Sequence, residues 1–457
     1  MERRFENDPE DVLADCKVPP AVFQGMMERL VRFSQPYVER LCRPEQREHA
    51  QTYLQGLLSD LQRKNAEAMA YRHDQDRQGL QTFLGTAPWD HRPLQAELAC
   101  QVGRELGEPD GVLVFDPSAF AKKGKHSVGV ARQWCGRLGK KENCQVGVFL
   151  GYASRREHAL VDMRLYLPEE WTEDRQRCKA AGVPREAMRR RTRHELALEM
   201  LDGNGGVLPH GWIAGDDEMG HPAWFRRELA DRGERYLLAV PSNTTIRDLE
   251  AEPPVYRGRG QPPKPPFQQM RKWRESLAAS AWTRLEVRDG EKGPLEVEIV
   301  KRRVVAKIDG KIGPEETLVV VRSLDDEKKV KTDYYLSNAP PETPLAEFAR
   351  VANAEHRIEE CIKRAKSEAG MAQYQVRNWL GWHHHITLCL MATWFLVCEA
   401  RRGKKMDAGD HRATSPPTIR TDPAWCLRLR HTGSDSPRMR AVAETQQACQ
   451  HRSSQRT

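Results

Sequence analysis

Two short apolar runs, each stopped by an aspartate, limit what this chain can fold into more than any other feature. Val112-Leu-Val-Phe115 leads into Asp116, and Trp212-Ile-Ala-Gly215 leads into Asp216. Four apolar residues without alternation are what a strand covered on both faces requires. A helical segment over 223–232 and a strand-like Tyr236-Leu-Leu-Ala-Val240 follow the second run. That order is a β-α-β unit with an acid at the carboxyl end of its first strand, the edge where open α/β sheets place their chemistry. After the first run, Cys144 to Leu150 and Ala159 to Leu165 read as further strands, an antiparallel meander, and a basic helix is expected over 185–201.

The flanking sequence has a different texture. Residues 1–108 read as helical: Tyr53, Leu54, Leu57, Leu58 and Leu61 recur at helical spacing, and the pattern resumes at Leu94 after a break at Pro88-Trp89-Asp90. Residues 241–341 are irregular and then β-like, with loops at Pro253-Pro254 and Pro262-Pro263 and strands at Leu295 to Ile299 and Leu318 to Val321. Asp309-Gly310 is placed to turn a hairpin. Helical periodicity returns over 342–400. Residues 401–457 are polar and basic without periodicity, as expected of a disordered tail.

Composition narrows the class. The 457 residues carry a formal charge of +8, which suits a polyanionic partner because lysine and arginine contacts to phosphate release condensed counterions. No apolar run approaches the ~18–20 residues of a membrane span. The longest, Ile386 to Val397, reads as a buried helix, and the first eight residues have no apolar core for a secretory signal. Eleven cysteines without a C-x-x-C pair point to a reducing cytoplasm rather than a disulfide framework. Neither a G-x-S-x-G nor a G-x-x-x-x-G-K-[ST] pattern occurs, which excludes the serine-nucleophile and P-loop readings.

A single acid at a strand end is usually a cap or an ion-pair partner. The combination carries more: two aspartates ending buried strands, and Glu359 on a later helix rich in basic residues. Phosphodiester cleavage uses such a set, because two divalent ions about 3.5–4 Å apart can activate the attacking oxygen and stabilise the leaving one. Hard magnesium or manganese ions take oxygen ligands, and three carboxylates can hold a pair.

Several stretches resemble one family. They are Tyr53 to Ser59, Val114 to Gly136 around the first acid, Trp212 to Gly220 around the second, and Arg357 to Lys366 continuing through Gly381-Trp-His-His-His385. In these the chain resembles DDE transposases of bacterial insertion sequences, in the branch with a β-strand insertion between the second and third acids. The resemblance covers roughly residues 45–400. That family's third acid is followed by six residues and a lysine, and Glu359 and Lys366 fit the spacing. Seven residues is nearly two turns, so both side chains share a helix face. Two positions depart: where the family often has tyrosine and arginine ahead of the glutamate, this chain has Ala352 and Glu355. Asp217 and Glu360 adjoin the second and third acids; strand register favours Asp216, and the lysine spacing favours Glu359.

The resemblance implies an α/β, ribonuclease-H-like core over 109–240 and 342–400, with a helical N-terminal DNA-binding domain over 1–108 and a β-rich insertion over 241–341. It implies two Mg2+ (or Mn2+) ions, with Asp116 bridging and Asp216 and Glu359 each completing one site, and with Lys366 meeting a nearby phosphate. The implied activity is cleavage at the ends of an insertion sequence and joining of the 3′-hydroxyls to target DNA. The implied partners are double-stranded terminal inverted repeats and target DNA, bound by at least a dimer, in a cytoplasmic, nucleoid-associated enzyme. Candidate DNA contacts are Lys122, Lys123 and Lys125 after the first acid, Arg191 in the basic segment, and Arg357 and Lys363 near the third acid. Trp273, in Arg271-Lys-Trp-Arg274, and the nearby Trp282 fit packing better than base stacking, which stays the alternative. The adjacent histidines 383–385 point to different sides of a helix and fit packing or phosphate contact rather than one metal. Cutting without joining, or terminal-repeat binding without catalysis, are the competing readings.

Overall fold

A computed structural model describes residues 24–407, apart from 257, 259, 291, 292 and 325–329. Of the tail expected over 401–457, residues 401–407 instead continue the last helix, Trp379–Asp407, and the rest, like the N-terminal signal question, lies outside the described residues.

Five helices open the described chain: α1 (Met26–Val38), α2 (Pro44–Leu57), α3 (Ala66–Arg72), α4 (Arg77–Gly85) and α5 (Arg92–Leu106). The periodic residues of α2 are its buried face, with Tyr53, Leu54 and Leu57 fully enclosed. Pro88-Trp89-Asp90 separates α4 from α5, as the sequence pattern requires.

The sheet strands follow: β1 (Val112–Ala121), β2 (Ala131–Cys135), β3 (Lys140–Ala153) and β4 (His158–Tyr166), then α6 (Arg193–Asn204), β5 (Trp212–Gly215), α7 (Ala223–Asp231) and β6 (Tyr236–Ala239). The meander is present: β1 pairs with β3 and β3 with β4, all antiparallel. The β-α-β unit is present too, with β5 parallel to both β1 and β6. The basic helix starts later than expected, at Arg193. Thr192 caps it by accepting from the Glu195 amide while the Glu195 carboxylate accepts from the Thr192 amide, a reciprocal box that sets the start.

Six more strands complete the sheet: β7 (Thr245–Asp248), β8 (Gln268–Gln269), β9 (Thr283–Gly290), β10 (Gly293–Ile308), β11 (Lys311–Leu324) and β12 (Val330–Ser337), with the short α8 (Met270–Glu275) after β8. Asp309 and Gly310, both at positive φ, turn the β10–β11 hairpin. These strands extend the first sheet, because β12 pairs antiparallel with β6. The result is one mixed, 12-stranded sheet with the order β2-β3-β1-β5-β6-β12-β11-β10-β7-β8, β4 pairing with β3 and β9 with β10.

Two long helices close the fold, α9 (Leu345–Ser367) and α10 (Trp379–Asp407). α9 lies across β1, β3, β4 and β5. Its Ile358 fills the space that a side chain on Gly151 of β3 would need. The buried stretch of α10 packs on β4 and on α2, α4 and α5, joining the N-terminal helices to the sheet. Its three histidines are all core groups. His383 bonds the Trp379 carbonyl, His384 stacks on Trp89 with ring centroids 3.5 Å apart, and His385 bonds the Tyr53 hydroxyl. Among the described residues, Cys100, Cys135, Cys144, Cys178, Cys361, Cys389 and Cys398 are thiols. No helix of the described residues is long and apolar enough to cross a membrane.

Candidate active site

The parallel pairing of β1 and β5 places the two aspartates side by side. Its last register pair is Phe115 with Gly215, so Asp116 and Asp216 are the next residue on each chain. The apolar run ends at Asp116, but the strand does not. β3 is longer than β5 and carries β1 on to Ala121, pairing Asp116 with Phe149 on the way. At Asp216 the chain leaves the sheet for a single helical turn, Asp217–Gly220, and the Asp216 carboxylate caps it by accepting from the Met219 amide at 2.9 Å.

Both carboxyls are held away from their ordinary acidity. Burial pushes Asp116 up to about 7, with Glu359 adding to the shift and Lys366 opposing it. Burial also raises Asp216 well above the carboxylate range, and the neighbouring Asp116 is the largest charge acting on it. Asp217 is exposed.

α9 delivers the remaining charged groups. Lys366 Nζ donates to Ser118 Oγ at 2.7 Å and to the Ala119 carbonyl at 2.8 Å, which anchors the helix to β1 just past Asp116. The Glu359 side chain is 70% exposed, and its carboxylate lies 3.8 Å from His356 Nδ1. That imidazole outweighs partial burial, and with Lys331 and Lys363 it keeps the Glu359 pKa low. Glu360 is paired with Arg364 instead, at 2.7 Å. Glu355, one turn before Glu359 on the same face, is partly buried. Burial raises its pKa well above the usual range, reinforced by Asp216, Asp333 and Asp116. The sequence pattern shows Glu355 only as a departure where the resembled family carries arginine. Its i,i+4 relation to Glu359 is the signal that assigns it to this site.

Carboxylate oxygens are the set that a hard divalent cation prefers, and such a cation would offset the cost of ionising the two buried aspartates. Asp116 and Asp216 stand side by side for such an ion, whereas the Glu359 carboxylate faces solvent on α9. Among the described residues, no three His, Cys, Asp or Glu side chains converge closely enough to hold a metal as they stand. The sheet builds the aspartate pair, and Glu359 turns outward from it.

The candidate DNA contacts divide into two groups. Lys123, Lys125 and Lys363 are exposed. Lys122 is partly buried with its ammonium 3.3 Å from the Tyr374 ring centroid, and burial lowers its pKa to about 8. Three side chains are taken up by the protein itself. Arg191 pairs with Glu199 at 2.7 Å, Trp273 is buried with Nε1 donating to Asp248 Oδ2 at 2.9 Å, and Arg357 donates to the Ser154 carbonyl at 2.7 Å. Arg357 precedes Glu359 by two residues, about 200° around a helix, so it faces the sheet while Glu359 faces out. Trp282 lies under the Arg322 guanidinium, 3.5 Å from its ring centroid.

The family model of the DDE superfamily endonucleases matches residues 36–294, more than half of the chain. The chain belongs to the DDE superfamily endonucleases. A 107-residue stretch is also 41% identical to the probable transposase for insertion sequence element IS701 of Microchaete diplosiphon, covering 21% of this chain and 27% of that relative. The family match takes in both aspartates of this DDE endonuclease and ends ahead of α9. Glu359 and Lys366 therefore rest on the helix geometry and the spacing alone.

Proposed function

We propose that this DDE endonuclease is a transposase that cleaves the ends of its own insertion sequence and joins the freed 3′-hydroxyls to target DNA. The observation that carries the reading is the Phe115–Gly215 register, which sets Asp116 beside Asp216 in a chain of this family. The likeness to a probable insertion-sequence transposase supports the same biological role. The strand order β4-β3-β1-β5-β6, with the first three antiparallel and the last two parallel to β1, supports a ribonuclease-H-like core. On this reading residues 109–240 and 342–400 form the catalytic core, 1–108 a DNA-binding domain and 241–341 an insertion.

Asp116, Asp216 and Glu359 would hold two magnesium or manganese ions, which when bound supply Lewis-acid stabilisation of the oxygens that attack and leave phosphorus. Glu359 reaches the aspartates by turning inward from its solvent position, and Lys366, already docked beside Asp116, meets the phosphate charge. Two ends must be held together for joining, so the working form is at least a dimer on double-stranded terminal repeats and target DNA.

The test uses Asp116→Asn, Asp216→Asn and Glu359→Gln. Each should lower magnesium-dependent cleavage of terminal-repeat DNA by at least about a hundredfold, since each removes a ligand of the metal pair, while gel-shift affinity for the same DNA stays near wild type. Undiminished cleavage by any one variant removes that residue from the triad. Cleavage without joining of precut ends by the wild-type protein would mark an endonuclease instead. Binding without any cleavage would mark a catalytically inactive repeat-binding protein.

A further inference from the structure

The exposed combination of aromatic and cationic side chains that a nucleic-acid surface needs lies on the β2–β3 ribbon rather than around Trp273. β2 pairs antiparallel with the first residues of β3, in the register Ala131–Cys144, Arg132–Asn143, Gln133–Glu142, Trp134–Lys141 and Cys135–Lys140. Directly opposed residues share a face, so the ribbon has two distinct sides. Ala131, Cys135 and Cys144 are buried on one. Arg132, Trp134 and Lys141 are exposed on the other. Trp134, at 55% exposure, is the most exposed of the described tryptophans.

The basic turn after the first acid is tied to this ribbon. Asn143 Nδ2 donates to the carbonyls of Lys122 at 2.6 Å and Gly124 at 2.9 Å. The turn is thereby fixed to the ribbon's β3 strand; Lys123 and Lys125 are exposed like Arg132 and Lys141, and no salt bridge among the described residues involves any of the four. On the inner side, Gln133 Oε1 accepts from Arg193 Nη2 at 3.0 Å, and Arg193 Nη1 pairs with Glu218 at 2.6 Å, two residues past Asp216. The ribbon is thus braced against the turn that carries the second acid. Along β1 and β3 the Trp134–Lys141 pair lies eight residues from the level of Asp116, about 26 Å at strand rise.

We propose that this outer face is a second DNA contact, at which Trp134 stacks on an unpaired base while Arg132, Lys141, Lys123 and Lys125 hold the phosphates on either side. The proposal rests on the DNA-processing reading above. A lone indole among four cations suits a polyanion with flat apolar bases, whereas the centre of a protein interface is depleted in charge. The span from Asp116 equals roughly eight base steps of 3.4 Å, which places the contact on DNA flanking the cut.

The experiment measures fluorescence anisotropy of labelled oligothymidylate and of a blunt duplex of equal length with the full-length protein. Trp134→Ala should weaken oligothymidylate binding by about five- to a hundredfold, the range for losing one stacked base, and change duplex binding by less than about twofold. Trp134→Phe, which keeps a ring to stack on, should retain most of the affinity. Lys141→Glu should weaken both probes and reduce the slope of log affinity against log salt by about one. Oligothymidylate binding by Trp134→Ala at wild-type strength, or equal losses on both probes, overturns the stacking role. Wild-type protein that binds neither probe overturns the transposase reading instead.

Discussion

Arg226 on α7 and Glu316 on β11 form an ion pair, Nε to Oε1 at 2.7 Å, with side chains 1% and 0% exposed. The same guanidinium donates to the carbonyls of Gly220 at 2.5 Å and His221 at 3.1 Å, and Tyr236 donates its hydroxyl to Glu316 at 2.7 Å. The pair therefore links the end of the Asp216 turn to a strand beyond β6. Removing one partner leaves a buried charge with nothing to offset it. Glu316→Leu or Arg226→Met should each cost about 3–5 kcal/mol, whereas the double apolar substitution should recover most of that loss. Urea denaturation of the single and double variants checks this; additive losses would contradict it.

Gly220 closes that turn against β6, where a Cβ would overlap the Ala239 carbonyl oxygen and press on Leu238. Gly220→Ala should destabilise the protein by about 1–3 kcal/mol through overpacking. Because the displaced turn begins at Asp216, the variant should also lose DNA cleavage at temperatures where it is still folded. Gly203 on α6 is the control, since a Cβ there meets nothing within 4 Å. Gly203→Ala should raise stability by about 0.5–1 kcal/mol, the helical preference for alanine. Thermal melts with a cleavage assay separate the two outcomes.

The aspartates are legible in the sequence because a strand buried on both faces must be apolar throughout, so an acid that stops the run stands out. Local pattern cannot say where such a strand ends. β1 continues five residues past Asp116 because β3 is there to pair with it, and that pairing joins residues far apart in the chain. The strands of 245–337 are visible as alternation and as a hairpin turn, whereas their continuation of the first sheet depends on three register pairs between β12 and β6. β2 escapes notice because only its two end residues, Ala131 and Cys135, are buried. Cations beside a tryptophan read alike at Trp273 and at Trp134. Tertiary packing separates them: Trp273 finds an acceptor in Asp248 inside the protein, and Trp134 projects from a ribbon.

His210 gives stability a pH dependence independent of the acids. Its Nδ1 lies 2.6 Å from the Leu208 carbonyl and its Nε2 3.2 Å from Glu234 Oε2, and both partners only accept, so both nitrogens must carry protons to satisfy them. Burial disfavours the charged ring, but the bonds to Glu234 and Leu208 outweigh it and raise the pKa above 6.5. A raised folded-state pKa means that the stabilisation is fully present below the unfolded value and fades as pH rises through the folded one. His210→Gln should therefore lose most relative to wild type below about pH 6.5, the unperturbed value, and least under alkaline conditions. Melting temperatures of both proteins across that window check the sign, and a gap that widens with rising pH would overturn it.

The paired aspartates make metal binding readable without any DNA. Burial raises the pKa of Asp216 and the neighbouring Asp116 carboxylate raises it further, and a divalent cation beside both would offset that cost. Binding to the folded state alone stabilises by mass action, about 2.7 kcal/mol at a hundredfold excess over Kd. Magnesium or manganese should accordingly raise the melting temperature of the wild-type protein by on the order of a few degrees. Asp116→Asn and Asp216→Asn should abolish the rise. The second keeps the helix cap, since asparagine caps as well as aspartate, so a lost shift there reports the charge and not the turn. Glu359→Gln should only reduce the rise, because its carboxylate stands in solvent beside His356. An undiminished shift in a protein lacking both aspartate charges would place the ion elsewhere.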